Sequence, residues 1–242
     1  MIDYTNNNSN IETNSVQAKD AVSTFLANVF TYMGGALAIT GLLAYWFGTT
    51  PDLMTNLISP TGGATTLGYV VMFSPLAFVL VMSFAFNKLS SFALLGLFVL
   101  YAAVMGLSMS FIFYIYTSAS IASTFFITAA TFGVMAVLGY TTKQDLTKFG
   151  SILIMALIGI IIASVVNMFL GNGMLDIIIS CVGVLVFTGL TAYDVQKLKR
   201  IGAGVEYGSE SSNKLAIMGA LNLYLDFVNL FMMLLRLFGD RR

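Results

Sequence analysis

The sequence predicts an all-α membrane protein with seven transmembrane helices in one bundle. Of the 242 residues, 58% are hydrophobic and only 9% are charged, whereas about a quarter of an average globular protein is charged. The mean hydropathy is +0.89. Seven apolar runs are long enough to cross the hydrocarbon core of a bilayer. Backbone that faces lipid must satisfy its own hydrogen bonds, so we interpret these runs as helices.

The seven runs follow one another closely, so residues 21–242 are predicted to form a single transmembrane domain. In chain order the runs cover residues 21–47, 67–86, 92–116, 119–140, 150–170, 177–193 and 215–238. The first six contain no charged residue, and the seventh contains Asp226 and Arg236. Residues 1–20 are polar and rich in Asn, Ser and Thr, and they lack the apolar core of a signal peptide. They are predicted to form a flexible cytoplasmic tail.

Small residues and one proline predict how the helices pack. Gly34, Gly35 and Gly41 lie on neighbouring turns of the first run, where they favour close approach of another helix backbone. The same role is predicted for single glycines in later runs, namely Gly96, Gly106, Gly133, Gly139, Gly183 and Gly189. Pro75 removes an amide donor from the second run and is predicted to kink it.

Loop charge predicts the orientation of the bundle. Lys and Arg residues follow the second, fourth and sixth runs, whereas the loops after the first, third and fifth runs contain none. By the positive-inside rule this pattern places the N-terminus in the cytoplasm. Seven crossings would then put the C-terminus outside, yet Arg236, Arg241 and Arg242 favour the inside. Either the tail crosses despite its charge, or the last run does not cross fully.

The composition excludes several classes of function. The chain has no His and a net charge of zero. Ser-His-Asp catalysis and His-ligated metal sites are therefore excluded, and no basic stripe indicates nucleic acid. A single Cys allows no internal disulfide. We expect no enzyme and no tightly bound cofactor, with the lipid bilayer as the constant partner.

Two acids near the end of the chain are the main functional signal. Asp226 lies inside the seventh run, where a charged group costs roughly 2.5–3.5 kcal/mol on insertion scales. Asp194 follows the sixth run and is its best candidate partner. Helical spacing also predicts a polar seam around the pair, formed by Thr188 and Thr191 on one helix and by Asn222 and Asn229 on the other. The carboxyl groups are expected to meet if the sixth helix continues past Tyr193, or if the seventh begins later than Leu215.

Two carboxylates in a dry site cannot both stay ionised cheaply, so the pair is expected to share a proton. Such a pair forms a latch that opens when the shared proton leaves. An ionised pair also attracts calcium, but Asp194 and Asp226 supply far fewer than the 6–8 oxygen ligands of a tight site. The acids therefore favour weak calcium transit rather than storage.

Three motifs contain or follow the two acids, at residues 188–197 (TGLTAYDVQK), 220–231 (ALNLYLDFVNLF) and 234–239 (LLRLFG). At these motifs the chain resembles the Bax inhibitor-type family (transmembrane Bax inhibitor motif family), and in particular its bacterial members. The short chain and the resemblance to bacterial proteins favour a bacterial cytoplasmic membrane, with an organelle membrane as the alternative. The resemblance also implies seven helices with the last one central, and Asp194 and Asp226 as a paired-aspartate sensor that gates a pH-sensitive calcium leak. The family is also associated with suppression of cell death in eukaryotes, and some bacterial relatives restrain a membrane-bound ATP-dependent protease.

One departure from the family pattern concerns the basic partner of the acids. A family member with this latch carries an arginine on the second helix, whereas residues 67–86 here contain neither Arg nor Lys. Lys88, just after that run, is the possible substitute if its side chain snorkels to the pair.

Three functions remain open from the sequence. The first is a pH-gated calcium leak with Asp194 and Asp226 as the gate. The second is a non-conducting regulator that binds a membrane protease or another partner helix, with residues 1–20 as the contact. The third is an intramembrane aspartyl protease, because Tyr193-Asp194 is similar to the first motif of presenilin-type enzymes. The Gly-x-Gly-Asp and Pro-Ala-Leu elements of those enzymes are missing.

Overall fold

The computed structural model describes residues 5–59, 63–206 and 208–242, with side chains described from residue 20 onward. It is all-helical apart from two isolated β-bridges within these ranges. The helices, in chain order, are α1 (Thr5–Thr49), α2 (Pro51–Met54), α3 (Thr66–Ala85), α4 (Ser91–Met109), α5 (Ile112–Ile115), α6 (Ser118–Thr141), α7 (Thr147–Leu170), α8 (Gly173–Gly204) and α9 (Glu210–Phe238). Seven of them are long and apolar enough to cross a membrane, which confirms the predicted fold class.

The helix ends carry the polar residues that such ends require. Thr65, Ser90 and Thr117 each accept a hydrogen bond from a backbone amide in the first turn of the helix that follows. Asn172 caps α8 in the same way, just after Gly171 ends α7 in a left-handed conformation at φ 62°. These caps satisfy backbone donors that would otherwise face the membrane interface unpaired.

The first helix is longer than the sequence predicted. Residues 5–20, expected as a flexible tail, continue α1 as helix, and residues 1–4 lie outside the described residues. The physical reason is cooperativity, because adding a turn to an existing helix costs far less than nucleating a new one, and no proline interrupts residues 5–49. The candidate membrane span itself begins at Asp20.

The last helix is the centre of the bundle, as the family resemblance implied. In its most apolar window 72% of the residues of α9 are buried, against 11–33% in the other spans. It packs against α8, α1, α6 and α4. Its fully buried Tyr224 forms an aromatic cluster with Phe98 and Tyr101 of α4 and shares a hydrogen bond of 2.7 Å with Thr40 of α1. Any polar group on the inner face of α9 is therefore enclosed by protein.

Only some of the predicted glycine contacts are present. Gly106, Gly139, Gly183 and Gly189 lie against atoms of neighbouring helices, whereas a Cβ at Gly34, Gly35, Gly41, Gly96 or Gly133 would meet nothing within 4 Å. The prediction for this second group is wrong. Gly34 and Gly41 instead line an apolar cavity of about 670 Å³ that is also bounded by α6 and α9. The small side chains therefore leave a cavity at this position, and no neighbouring helix backbone lies close to them.

Helix α3 continues through Pro75 with a local substitute for the missing hydrogen bond. The proline has no amide to donate to the carbonyl of Val71, four residues earlier. The Ser74 hydroxyl donates to that carbonyl at 2.9 Å. The helix therefore remains intact across the proline from Thr66 to Ala85.

The last helix, α9, extends from one end of the bundle to the other. The start of α9 lies beside the start of α4, because the Glu210 carboxylate accepts hydrogen bonds from the Ser91 amide and hydroxyl at 2.6 and 2.8 Å. At the other end of α9, Thr117 donates its amide to the Asp240 carbonyl at 3.0 Å. We call this second end, with residues 239–242 and the α5–α6 and α7–α8 connections, the C-terminal end of the bundle.

Candidate functional site

The two acids are brought together because α8 is longer than its apolar run. The sixth helix continues past Tyr193 to Gly204, which is one of the two conditions that the sequence set for a contact. Asp194 therefore lies on regular helix beside the central helix α9. Its carboxyl group is within hydrogen-bonding range of the Asp226 carboxyl.

The two carboxyl groups have different surroundings. Asp226 is 6% exposed, and its Oδ2 has no conventional hydrogen-bond donor among the described residues. Asp194 is half-buried and feels the positive charge of Lys197. Two ionised carboxylates have no proton to donate, so their contact becomes a hydrogen bond only when one of them is protonated. The arrangement is therefore suited to holding one proton between two helices.

The predicted polar seam around the pair is only partly present. Thr191 is fully buried one turn before Asp194, and its hydroxyl donates to the Phe187 carbonyl of its own helix at 2.8 Å. Asn229 is half-buried and also bonds within its helix, to the Leu225 carbonyl at 2.8 Å. Asn222 is exposed. Since Asn222 and Asn229 lie toward the open side of α9, the surroundings of Asp226 are largely apolar.

Lys88 is not brought to the pair. Its side chain is exposed, and within the described ranges it makes no hydrogen bond or ion pair. The reason is the position of α3, which packs mainly against α4 and away from α8. Lys197, one turn beyond Asp194, is the basic residue that acts electrostatically on Asp194.

A second polar cluster, which the sequence did not predict, fixes α8 just beyond Asp194. The Gln196 side chain is buried, donates to the Gln144 carbonyl at 2.7 Å and accepts from the Leu146 amide at 2.9 Å. Arg200, one turn later, donates to Gln196 at 2.8 Å and forms an ion pair with Asp145. We call these contacts the α6–α7 clamp. In the sequence, the residues that could have indicated this cluster are Gln196 and Arg200, which lie four apart just after Asp194.

The clamp does not titrate in the range where the acid pair is expected to respond. Hydrogen bonds from Thr147 and then from Arg200 hold the pKa of the Asp145 carboxyl well below its ordinary value. A depressed pKa means that the interaction persists above the ordinary pKa of an aspartate and is lost only as the pH falls through the lower folded-state value. A change of activity near neutral pH therefore does not come from the clamp.

Replacing Gln196 by alanine is expected to lower stability by about 1–3 kcal/mol, because it leaves the Leu146 amide and the Gln144 carbonyl without partners in a half-buried position. Thermal unfolding in one detergent measures the change. Gln144→Ala is the matched control, since the Gln144 side chain is exposed and only its backbone carbonyl joins the clamp. Equal destabilisation by both variants would contradict the described hydrogen bonds.

Within the described ranges, no group of three or more His, Cys, Asp or Glu side chains is placed to hold a metal ion. The Asp194–Asp226 pair is thus a two-carboxylate site, with fewer ligands than stable calcium coordination needs.

Comparison with known proteins agrees with this architecture. The profile of a family described as "Inhibitor of apoptosis-promoting Bax1" matches residues 22–242. The chain is 46% identical to "Inner membrane protein YbhL" of Escherichia coli (strain K12), over 94% of this chain and 96% of that protein. It is 45% identical to an uncharacterized protein of Borreliella burgdorferi, over 90% of this chain and 92% of that one. A Rickettsia prowazekii protein is 40% identical over the full length of both.

Proposed function

This chain belongs to the family of Bax1 inhibitors and is an integral, multi-pass membrane protein, and on that premise we propose that it is a calcium leak gated by proton sharing between Asp194 and Asp226. The observation that carries the proposal is the carboxyl pair between α8 and the central helix α9, in which Asp226 is buried and Asp194 is half-buried. Because a relative is named an inner membrane protein, we propose a bacterial cytoplasmic membrane as the location of this chain. The distribution of Lys and Arg among the loops supports an N-terminus in the cytoplasm.

The gate acts through the charge of the pair. While one proton is shared, the carboxyl groups hold α8 and α9 together and the site carries a single negative charge. When that proton leaves, two like charges face each other in a site of low polarity and repel. The repulsion favours separation of the helices and entry of water, and a calcium ion then neutralises both carboxylates. Two ligands bind the ion weakly, so it passes on instead of remaining bound.

Calcium flux into proteoliposomes tests this function. We expect flux through the reconstituted chain to rise as the pH increases and the shared proton is lost, and to exceed the flux into protein-free vesicles at every pH. A flux equal to that of empty vesicles across the range would reject the leak. A flux that exceeds the background but falls as the pH rises would reject this gate.

A second candidate function, regulation of a membrane-bound ATP-dependent protease, is favoured by the length of α1. This helix begins at Thr5, whereas its apolar run begins at Ala21, so about 24 Å of helix precedes the apolar run. A helical extension of this kind is suited to contact another membrane protein beside the bilayer. The two functions are compatible, because the extension and the acid pair lie in different parts of the chain.

Deleting residues 1–19 separates the two functions. If the extension is the contact, inhibition of the protease is lost, while pH-dependent calcium flux through the remaining helices is unchanged. The measurement is degradation of a membrane substrate by the reconstituted protease, with the full chain and the shortened chain at equal density. Persistent inhibition by the shortened chain would show that the extension is not the contact.

A further inference from the structure

A polar cavity of about 460 Å³ lies at the C-terminal end of the bundle, far along α9 from the acid pair. It lies between the last turns of α7, the first turn of α8 and the end of α9. The polar side chains that line it are Tyr116, Ser164, Asn167, Asp176, Arg236 and Arg241. Because the ends of spanning helices lie at headgroup depth, this cavity opens in the interfacial region of the membrane.

The cavity carries a net positive charge and unused hydrogen-bond donors. Arg236 contacts Asp176 through one nitrogen at 3.4 Å, although a guanidinium has five N–H donors. The Arg241 side chain makes no hydrogen bond or ion pair with the described part of the chain. Two guanidinium groups thus face a single carboxylate. The cavity is therefore suited to an anion with several acceptor oxygens.

The backbone holds Arg241 at this position. On one side of it, the Asp240 amide donates to the Ser120 hydroxyl at 2.9 Å. On the other side, the Arg242 amide donates to the Ile115 carbonyl at 2.9 Å. Arg241 itself forms a β-bridge with Tyr116. The last residues are consequently an ordered part of the cavity wall, so little of their conformational entropy is lost when an anion binds.

The surface beside the cavity indicates what kind of anion fits. Met168, Phe169 and Leu170, on the last turn of α7, are 68%, 80% and 66% exposed. These side chains follow Asn167, which lines the cavity with the two arginines, and Met168 lines it as well. In a multi-pass membrane protein, such an exposed apolar surface is suited to contact with lipid acyl chains. A ligand that satisfies both regions combines a phosphate group with acyl chains.

We propose that this cavity binds the headgroup phosphate of an anionic phospholipid, with Arg236 and Arg241 donating to its oxygens. Arginine matches phosphate geometry because its fork of N–H groups forms paired, charge-assisted hydrogen bonds. The site also gives a role to two of the three arginines at this end of the bundle, Arg236 and Arg241, where the other connections contain no Lys or Arg. Lipid binding at this cavity does not depend on calcium conduction.

Lipid retention by the full chain tests the site. The chain is purified in detergent, incubated with equal amounts of phosphatidylglycerol and phosphatidylcholine, and examined by native mass spectrometry. We expect phosphatidylglycerol to be retained preferentially. Arg241→Gln is expected to reduce this preference about fivefold, the usual effect of one basic residue near anionic lipid. The matched control is Arg242→Gln, because Arg242 is equally exposed but does not line the cavity.

Each outcome decides the proposal. Loss of the preference in Arg241→Gln but not in Arg242→Gln supports the site. Equal losses in both variants would show only general attraction to charge and would overturn it, as would equal retention of the two lipids by the unaltered chain. Glycerol phosphate provides a further comparison: if it displaces phosphatidylglycerol at similar concentration, the cavity binds a free anion and the lipid assignment is wrong.

Discussion

Replacing Asp226 by asparagine is expected to abolish the pH dependence of calcium flux. Asparagine has nearly the same shape as aspartate but does not ionise, so no proton is shared across the contact with Asp194. The ratio of flux at about pH 8 to flux at about pH 6 should fall to about 1. The same result is expected for Asp194→Asn, because either carboxyl group is half of the pair. Calcium uptake by proteoliposomes at matched protein density measures the ratio.

The double variant sharpens this test. If the acids act as a unit, Asp194→Asn combined with Asp226→Asn should change the pH ratio no more than either single substitution, since the second one removes nothing that still operates. Asp52→Asn is the matched control, because Asp52 is an exposed acid on the short helix α2. Retention of the original pH ratio in both single variants would exclude the pair as the gate.

Charge reversal at Lys197 would be a less direct probe than these substitutions. Lys197 is exposed, so solvent screens its effect on the half-buried Asp194. The two carboxyl groups interact with each other at a more buried position, where the Asp226 side chain is enclosed by protein. The largest functional change is therefore expected from the acids, not from the cation beside them.

Much of the fold was predictable because a membrane imposes a strong constraint. The apolar runs located all seven spans, and the run at residues 119–140 differs from α6 by one residue at each end. The runs did not locate the end of α8, because charged residues begin at Asp194 and interrupt the apolar pattern, although the helix continues to Gly204. The helix itself continues past that boundary, which is why the contact between Asp194 and Asp226 could be expected only conditionally.

Side-chain environments were less predictable than helix positions. Helical spacing placed Asn222 and Asp226 on one face, yet the four-residue step turns the helix enough for one to be exposed and the other buried. The role of Gln196 depends on a loop about 50 residues earlier in the chain. Periodicity within one helix contains no information on such distant contacts. The glycines illustrate the same limit, since sequence alone did not separate Gly139 from Gly133.

Alanine substitutions at Gly139 and Gly133, both in α6, are expected to change stability in opposite directions. A Cβ at Gly139 would lie within 2.8 Å of the Ala192 Cα and against the Ala192 carbonyl oxygen, closer than real Cβ atoms approach. Because both obstacles are backbone atoms, no side-chain rotation relieves the clash, and α6 and α8 must separate. Gly139→Ala is therefore expected to destabilise the bundle by about 1–3 kcal/mol. Thermal unfolding in a single detergent measures the loss.

Gly133→Ala is the matched control on the same helix. A Cβ there meets nothing within 4 Å, so only the intrinsic helix preference acts, and alanine should stabilise the chain by up to about 1 kcal/mol. The two substitutions are chemically identical and should have opposite signs. Changes of the same sign and size would contradict the described contact between α6 and α8.

Gly139→Ala and Gly133→Ala also test whether the packing of α6 against α8 affects the acid pair. Ala192 lies two residues before Asp194 on α8, so a shift of α8 away from α6 also displaces the carboxyl group that faces Asp226. We therefore expect Gly139→Ala to reduce the pH ratio of calcium flux, and Gly133→Ala to leave it unchanged. If Gly139→Ala lowers the unfolding temperature but keeps the full pH ratio, the acid pair tolerates movement of α8, and the expected effect of α6–α8 packing on the gate is wrong.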